Sequence, residues 1–119
     1  SHKASKTTEE IASALESAAL AIEVAETHGV PLPGIEVAVR DAEEIIDGAS
    51  GSLGVVKPPN DESLQLREDA LSLIDRAEEI VGDTRIALQQ SDLAGAIEAV
   101  QGARTLAREL VEFSKRVEP

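Results

Sequence analysis

Cysteine, methionine, tryptophan and tyrosine are all missing from this 119-residue chain, and phenylalanine occurs once, at Phe113. Without a thiol there is no disulfide, no thiolate nucleophile and no zinc–thiolate site. The absence of cysteine does not fix the compartment, since it suits cytosol and exterior alike. A core almost without aromatics must be built from Ala, Leu, Ile and Val, which favours closely packed helices. Strands would draw on Tyr, Phe, Trp and Thr, and no stretch alternates apolar and polar residues over a useful length.

Positive charge is also scarce. Eleven basic residues face 23 acidic ones for a net charge of −12, and lysine occurs only at Lys3, Lys6, Lys57 and Lys115. Such a surface repels phosphate backbones and anionic lipid headgroups, so nucleic acid is not an expected partner. No apolar run approaches the roughly 18 residues of a membrane span, so direct membrane insertion is not expected either. Ser1-His2-Lys3, with no methionine anywhere, reads as a tag remnant on a domain excised from a longer protein. Residues 1–6 are therefore expected to be irregular, with one helical domain over 7–119. An extracytoplasmic or surface-attached setting would suit such a piece.

What the chain does have is helical periodicity, in a length sufficient to bury roughly two-thirds of the unfolded surface. Thr7-x-x-Glu10 has the form of a capping box, and Ile11, Leu15, Ala18, Ile22 and Ala25 follow at steps of four and three, predicting a helix over 7–28. Gly29 is placed to close it, and Pro31 and Pro33 prevent continuation. Ile35, Val39, Ala42 and Ile46 predict a shorter helix over 34–47, with Glu36, Arg40, Glu43, Glu44 and Asp47 mostly outward. The turn formers from Gly48 to Gly54, followed by Lys57-Pro58-Pro59-Asn60, then predict a long connection. A third helix is expected over 61–90 on the stripe Leu64, Ala70, Leu73, Ile74, Ala77, Val81, Thr84 and Leu88. It should run through Gly82, because one interior glycine costs only about 1 kcal/mol. Ser91 or Asp92 should cap a last helix over 92–117, with Leu93, Ile97, Val100, Ala103, Ala107, Leu110 and Val117 inward. The fold expected is all-α: an antiparallel up-and-down four-helix bundle made of two helical hairpins joined by a long Gly/Ser/Pro-containing loop. A faint match between the halves, Leu32, Gly34, Ala38 and Ala42 against Leu93, Gly95, Ala99 and Ala103, agrees with paired hairpins.

Chemistry-bearing motifs are few. His28 stands alone at a helix end, without the paired Glu-x-x-His units of a di-iron bundle. Glu43-Glu44-x-x-Asp47 and Asp75-x-x-Glu78-Glu79 are the densest carboxylate groups, but neither surrounds the glycine turn of a calcium loop. They read as solvated faces, with local pairing of Arg40 to Glu36 or Glu44 and of Arg76 to Asp75 or Glu79. The glycine-rich string at 48–54 lacks the Lys-Ser/Thr of a phosphate loop, and no serine sits in a nucleophile elbow. No catalytic residue, metal site or cofactor is therefore assigned.

Two features favour contact instead. Gly95, Ala99 and Gly102 make one side of the last helix small, so that a neighbouring or partner helix, or a second copy, can approach closely. Leu53, Val55 and Val56 form an apolar cluster beside the short second helix, and would either cover the exposed core there or line an open cleft. The function expected is a non-enzymatic helical spacer or protein-interaction module excised from a larger protein. The alternative is a ligand-sensing extracytoplasmic bundle of a signalling or transport protein, with Thr84 and Gln101 as its polar candidates.

Overall fold

The apolar stripes carry five helices into one bundle: α1 (His2–His28), α2 (Leu32–Gly54), α3 (Asp61–Gln89), α4 (Leu93–Ala99) and α5 (Ala103–Val117). The computed structural model describes residues 2–54 and 61–117; the side chains of residues 2–4, 52–54, 61, 63 and 117 fall outside that description. Helix α1 packs against α2 and α5, and α3 packs against α2, α4 and α5. Helices α1 and α3 also meet across the middle, whereas among the described residues α2 touches neither α4 nor α5. With α4 and α5 forming one interrupted arm, this is a four-helix bundle flattened along one diagonal.

Neighbouring arms run antiparallel. Glu9 lies beside Ser114 and Glu23 beside Arg104, so α1 and α5 ascend and descend together. The bundle measures 49 × 21 × 18 Å. Its core is the aliphatic one that the composition requires: Ile11, Leu15, Ala18 and Ile22 on α1, Val39 and Ile46 on α2, Ile74, Ala77 and Val81 on α3, and Leu106 and Leu110 on α5. Phe113 joins it at 1% exposure, although the predicted stripe on the last helix passed it by. That helix buries a strip two residues wide, with both Leu110 and Phe113 inside, rather than a single line.

Three departures from expectation are the start of α1, the end of α2 and a split in the last helix. Helix α1 begins at His2, so residues 2–6 are helical and Thr7 is not its cap. Ser5, Thr7 and Thr8 are buried, and the Thr8 hydroxyl donates to the Ser5 carbonyl at 3.0 Å, which satisfies it inside the helix.

Helix α2 does not stop at Asp47 but continues to Gly54, a length of about 34 Å at roughly 1.5 Å per residue. Ala49 is buried in phase with Ile35, Val39, Ala42 and Ile46, and that extra packed position outweighs the helix-breaking tendency of Gly48 and Gly51. The string at 48–54 is thus helix, not linker. Neither glycine is there for space, since a Cβ at Gly48 or Gly51 would meet nothing within 4 Å. Gly48→Ala and Gly51→Ala are each expected to raise stability by about 0.5–1 kcal/mol, read as an upward shift of the urea midpoint at unchanged slope.

Helix α3 passes through Gly82 without a break. Its Leu64, expected inside, is 39% exposed. The chain then turns at Ser91, which takes the left-handed conformation with φ 55°, and the Asp92 carboxylate caps α4 by accepting from the Gly95 N–H at 2.8 Å.

The last predicted helix is two. The Gln101 side-chain amide donates to the Ile97 carbonyl at 3.2 Å, the acceptor that its own backbone N–H would use in a continuing helix. That N–H turns instead to Glu98, and Ala103 donates to Val100, so residues 100–102 form a tight turn. Gly102 lowers the cost of the interruption by weakening the helical alternative.

Candidate functional site

The residues singled out from sequence do not converge. Leu53 lies on the last turn of α2 with its side chain outside the described residues, and Val55 and Val56 lie outside them altogether. The short second helix that made a cleft there plausible is absent, since α2 extends to Gly54. Gly95, Ala99 and Gly102 flank the α4–α5 turn instead of forming one continuous helix face. A Cβ on Gly95 would collide with the Asp92 carboxylate, so this glycine gives room to the cap. A Cβ on Gly102 would meet Ile80 of α3 at 3.6 Å, an ordinary packing distance. His28 is exposed at the end of α1, followed by Gly29 at φ 64°. Thr84 is buried but gives its hydroxyl to the Ile80 carbonyl at 2.7 Å, and Gln101 is spent on Ile97.

The two acidic groups, by contrast, come together across the α2–α3 seam. Glu43 binds Arg85 at 2.6 Å with both side chains mostly covered. One turn further along, Glu78 sits near Asp47, Asp75 and Ser50. Burial raises the pKa of the Glu78 carboxyl above its ordinary value; a hydrogen bond with Ser50 opposes this, and the charges of Asp47 and Asp75 and a bond with Asp47 add to it. Among the described residues no cluster is arranged to hold a metal ion. A raised carboxyl pKa contributes stability below the unfolded-state value and loses it as pH rises through the folded-state value. Glu78→Gln is therefore expected to raise the melting temperature at pH 7. The difference should vanish below about pH 4, where the unfolded carboxyl is protonated as well.

Ion pairs lace three of the four lateral seams: Arg85–Glu43 joins α3 to α2, Arg76–Glu109 at 2.8 Å joins α3 to α5, and Arg104–Glu23 at 2.7 Å joins α5 to α1. Arg76 thus finds its partner on another helix, while Arg40 pairs with Glu36 on its own helix at 3.0 Å, as the spacing predicts. The α1–α2 seam is the one without an ion pair among the described residues, and there the surface opens into a groove of about 740 Å³. It is lined by Ser13, Ala14 and Ser17 of α1 and Ala38, Ala42 and Ile45 of α2, together with the charged Lys6, Glu9, Glu10 and Asp41.

The groove exists because its wall residues are small. Helices that face each other through Ala and Ser leave their outer flanks unfilled, where Leu or Lys would have closed them. Helix α2 also carries more apolar surface than the bundle uses. Ile35, Val39, Ala42, Ile46 and Ala49 are buried, yet Ile45 remains 48% exposed at the groove and Val37 55% exposed further out. Leu20, one turn beyond Ser17 on α1, is 54% exposed. The signal was present in the sequence as the surplus residues Val37, Ala38 and Ile45, which fit no inward stripe. No family model, curated protein or solved structure matches the chain.

Proposed function

We propose that this chain is a non-enzymatic protein-interaction module, and that the α1–α2 groove is where an α-helix of a partner docks. The observation that carries this reading is the exposed Ile45 beside Ala38 and Ala14, an apolar floor on the outside of a bundle whose core is already full. Helix-in-groove recognition needs that combination: an apolar floor to desolvate and small walls that let a third helix approach two others. Of the two roles expected from sequence, spacer and interaction module, the groove favours the second.

The test is a selection of displayed helical peptides against the intact chain, followed by measurement on two groove-filling variants, Ser13→Gln and Ala38→Gln. Both sites face open space, so folding should be unchanged by circular dichroism and melting temperature. Peptides that dock in the groove should lose at least about tenfold in affinity on each variant, because a lodged glutamine denies the helix its approach. Selected peptides that bind both variants as well as the parent, or no enrichment at all, would count against the groove.

A further inference from the structure

The charged lining of the groove names the chemistry of its occupant. Three carboxylates, Glu9, Glu10 and Asp41, stand around it against the single ammonium of Lys6. Glu9 lies 3.5 Å from the Ser114 hydroxyl of α5, which gives its proton to the Val111 carbonyl at 2.7 Å, and neither Glu9, Glu10 nor Asp41 belongs to an ion pair among the described residues. Each of the other three lateral seams carries an arginine–carboxylate pair, Arg85–Glu43, Arg76–Glu109 or Arg104–Glu23; among the described residues no such pair bridges this one. The floor between them is apolar, from Ala14, Ala38, Ala42 and Ile45.

Resting on the docking reading above, we infer that the partner presents a basic amphipathic helix, with a narrow stripe of aliphatic side chains for the floor and Lys or Arg on both flanks for Glu10 and Asp41. The groove runs along α1 from Lys6 to Ser17, a rise of about 16 Å at roughly 1.5 Å per residue, so it holds about three turns. A second copy of this chain does not fit the same place. It would bring a net charge of −12 against another −12 and set these carboxylates against acidic helix faces. A basic helix is drawn to the same field and gains in encounter rate what a self-pair loses.

The experiment titrates the intact, isotope-labelled chain with three synthetic helices of about 14 residues that share one leucine stripe and carry Lys, Gln or Glu on the flanks. Backbone amide shifts report the site. The lysine helix should move Ser13, Ser17, Ala38 and Ile45 and bind about tenfold tighter than the glutamine helix, the sum of two or three exposed charge pairs. That advantage should shrink between about 0.05 and 0.5 M salt as the charges are screened. In the double variant Glu10→Lys with Asp41→Lys the order of the lysine and glutamate helices should invert. A lysine helix with its leucines scrambled off the stripe should not move these amides, which separates groove docking from diffuse attraction to an acidic protein. Equal binding of the glutamine and lysine helices at the groove would overturn the inferred charge of the partner while leaving helix docking intact. Failure of all three to move the groove amides would overturn the docking reading itself.

Discussion

Phe113→Ala is expected to lower the stability of this domain by about 3–5 kcal/mol, the largest loss available from a single side chain. Phe113 is the one aromatic in the chain, is 1% exposed, and heads the fully buried side chains by volume. It shares the buried strip of α5 with Leu106 and Leu110, and removing its ring would leave a void that close-packed neighbours fill only in part. A domain of this size holds only about 6–18 kcal/mol in total, so the variant should lose a large fraction of it, seen as a fall in urea midpoint and a melting temperature lower by more than about 10 °C. Phe113→Leu should recover most of the loss. The Arg116 guanidinium lies 5.1 Å from the ring centre at the surface, and its replacement by Ala should cost less than about 1 kcal/mol. A loss below about 1 kcal/mol in Phe113→Ala would show that the end of the bundle near α5 contributes little to cooperative folding.

The second large effect is an overpacking. Ala77 on α3 is fully enclosed, as is Ala18 on α1, and these two helices meet across the middle of the bundle. Ala77→Leu should therefore cost about 1–3 kcal/mol by forcing the diagonal apart. The same exchange at Ala38, on the wall of the open groove, should be neutral or slightly stabilising, because the added carbons cover exposed surface without displacing anything. The contrast isolates packing from helix propensity, since both exchanges put leucine for alanine within a helix. Equal effects at the two positions, measured by denaturant unfolding, would contradict the difference in enclosure.

Much of this fold was legible because helical burial repeats every 3.6 residues and the stripe declares its own phase. Ile11, Leu15, Ala18, Ile22 and Ala25 are all buried as that spacing predicts, and so are Ile35, Val39, Ala42 and Ile46. Where the reading failed, a local propensity was weighed without its tertiary partner. Gly48 and Gly51 suggest a linker on their own, but Ala49 between them is one more packed position on the stripe. Thr7 suggests a cap, but it lies inside α1, where its neighbour Thr8 satisfies its hydroxyl on the Ser5 carbonyl of the preceding turn. At the α4–α5 break the burial stripe keeps its phase through Ala96, Val100 and Ala103, while the backbone turns at residues 100–102 with the Gln101 side chain on the Ile97 carbonyl. No periodicity carries that information. The groove was missed for a different reason. Charge on the outward positions does not report a groove, and Ala38 and Ile45, apolar residues off the inward stripe, are its trace in the sequence.

Because the bundle has an even number of arms, the start of α1 and the end of α5 lie at the same pole of the 49 Å rod, with Glu9 and Ser114 side by side near it. Sequence joined to either end would leave from that pole, and the molecule would stand off it like a peg instead of bridging two points. Tension applied through the two ends would peel α1 from α5 one turn at a time rather than shear the whole interface at once. Such a geometry yields one turn at a time, at a lower force than simultaneous shear of the α1–α5 interface would require.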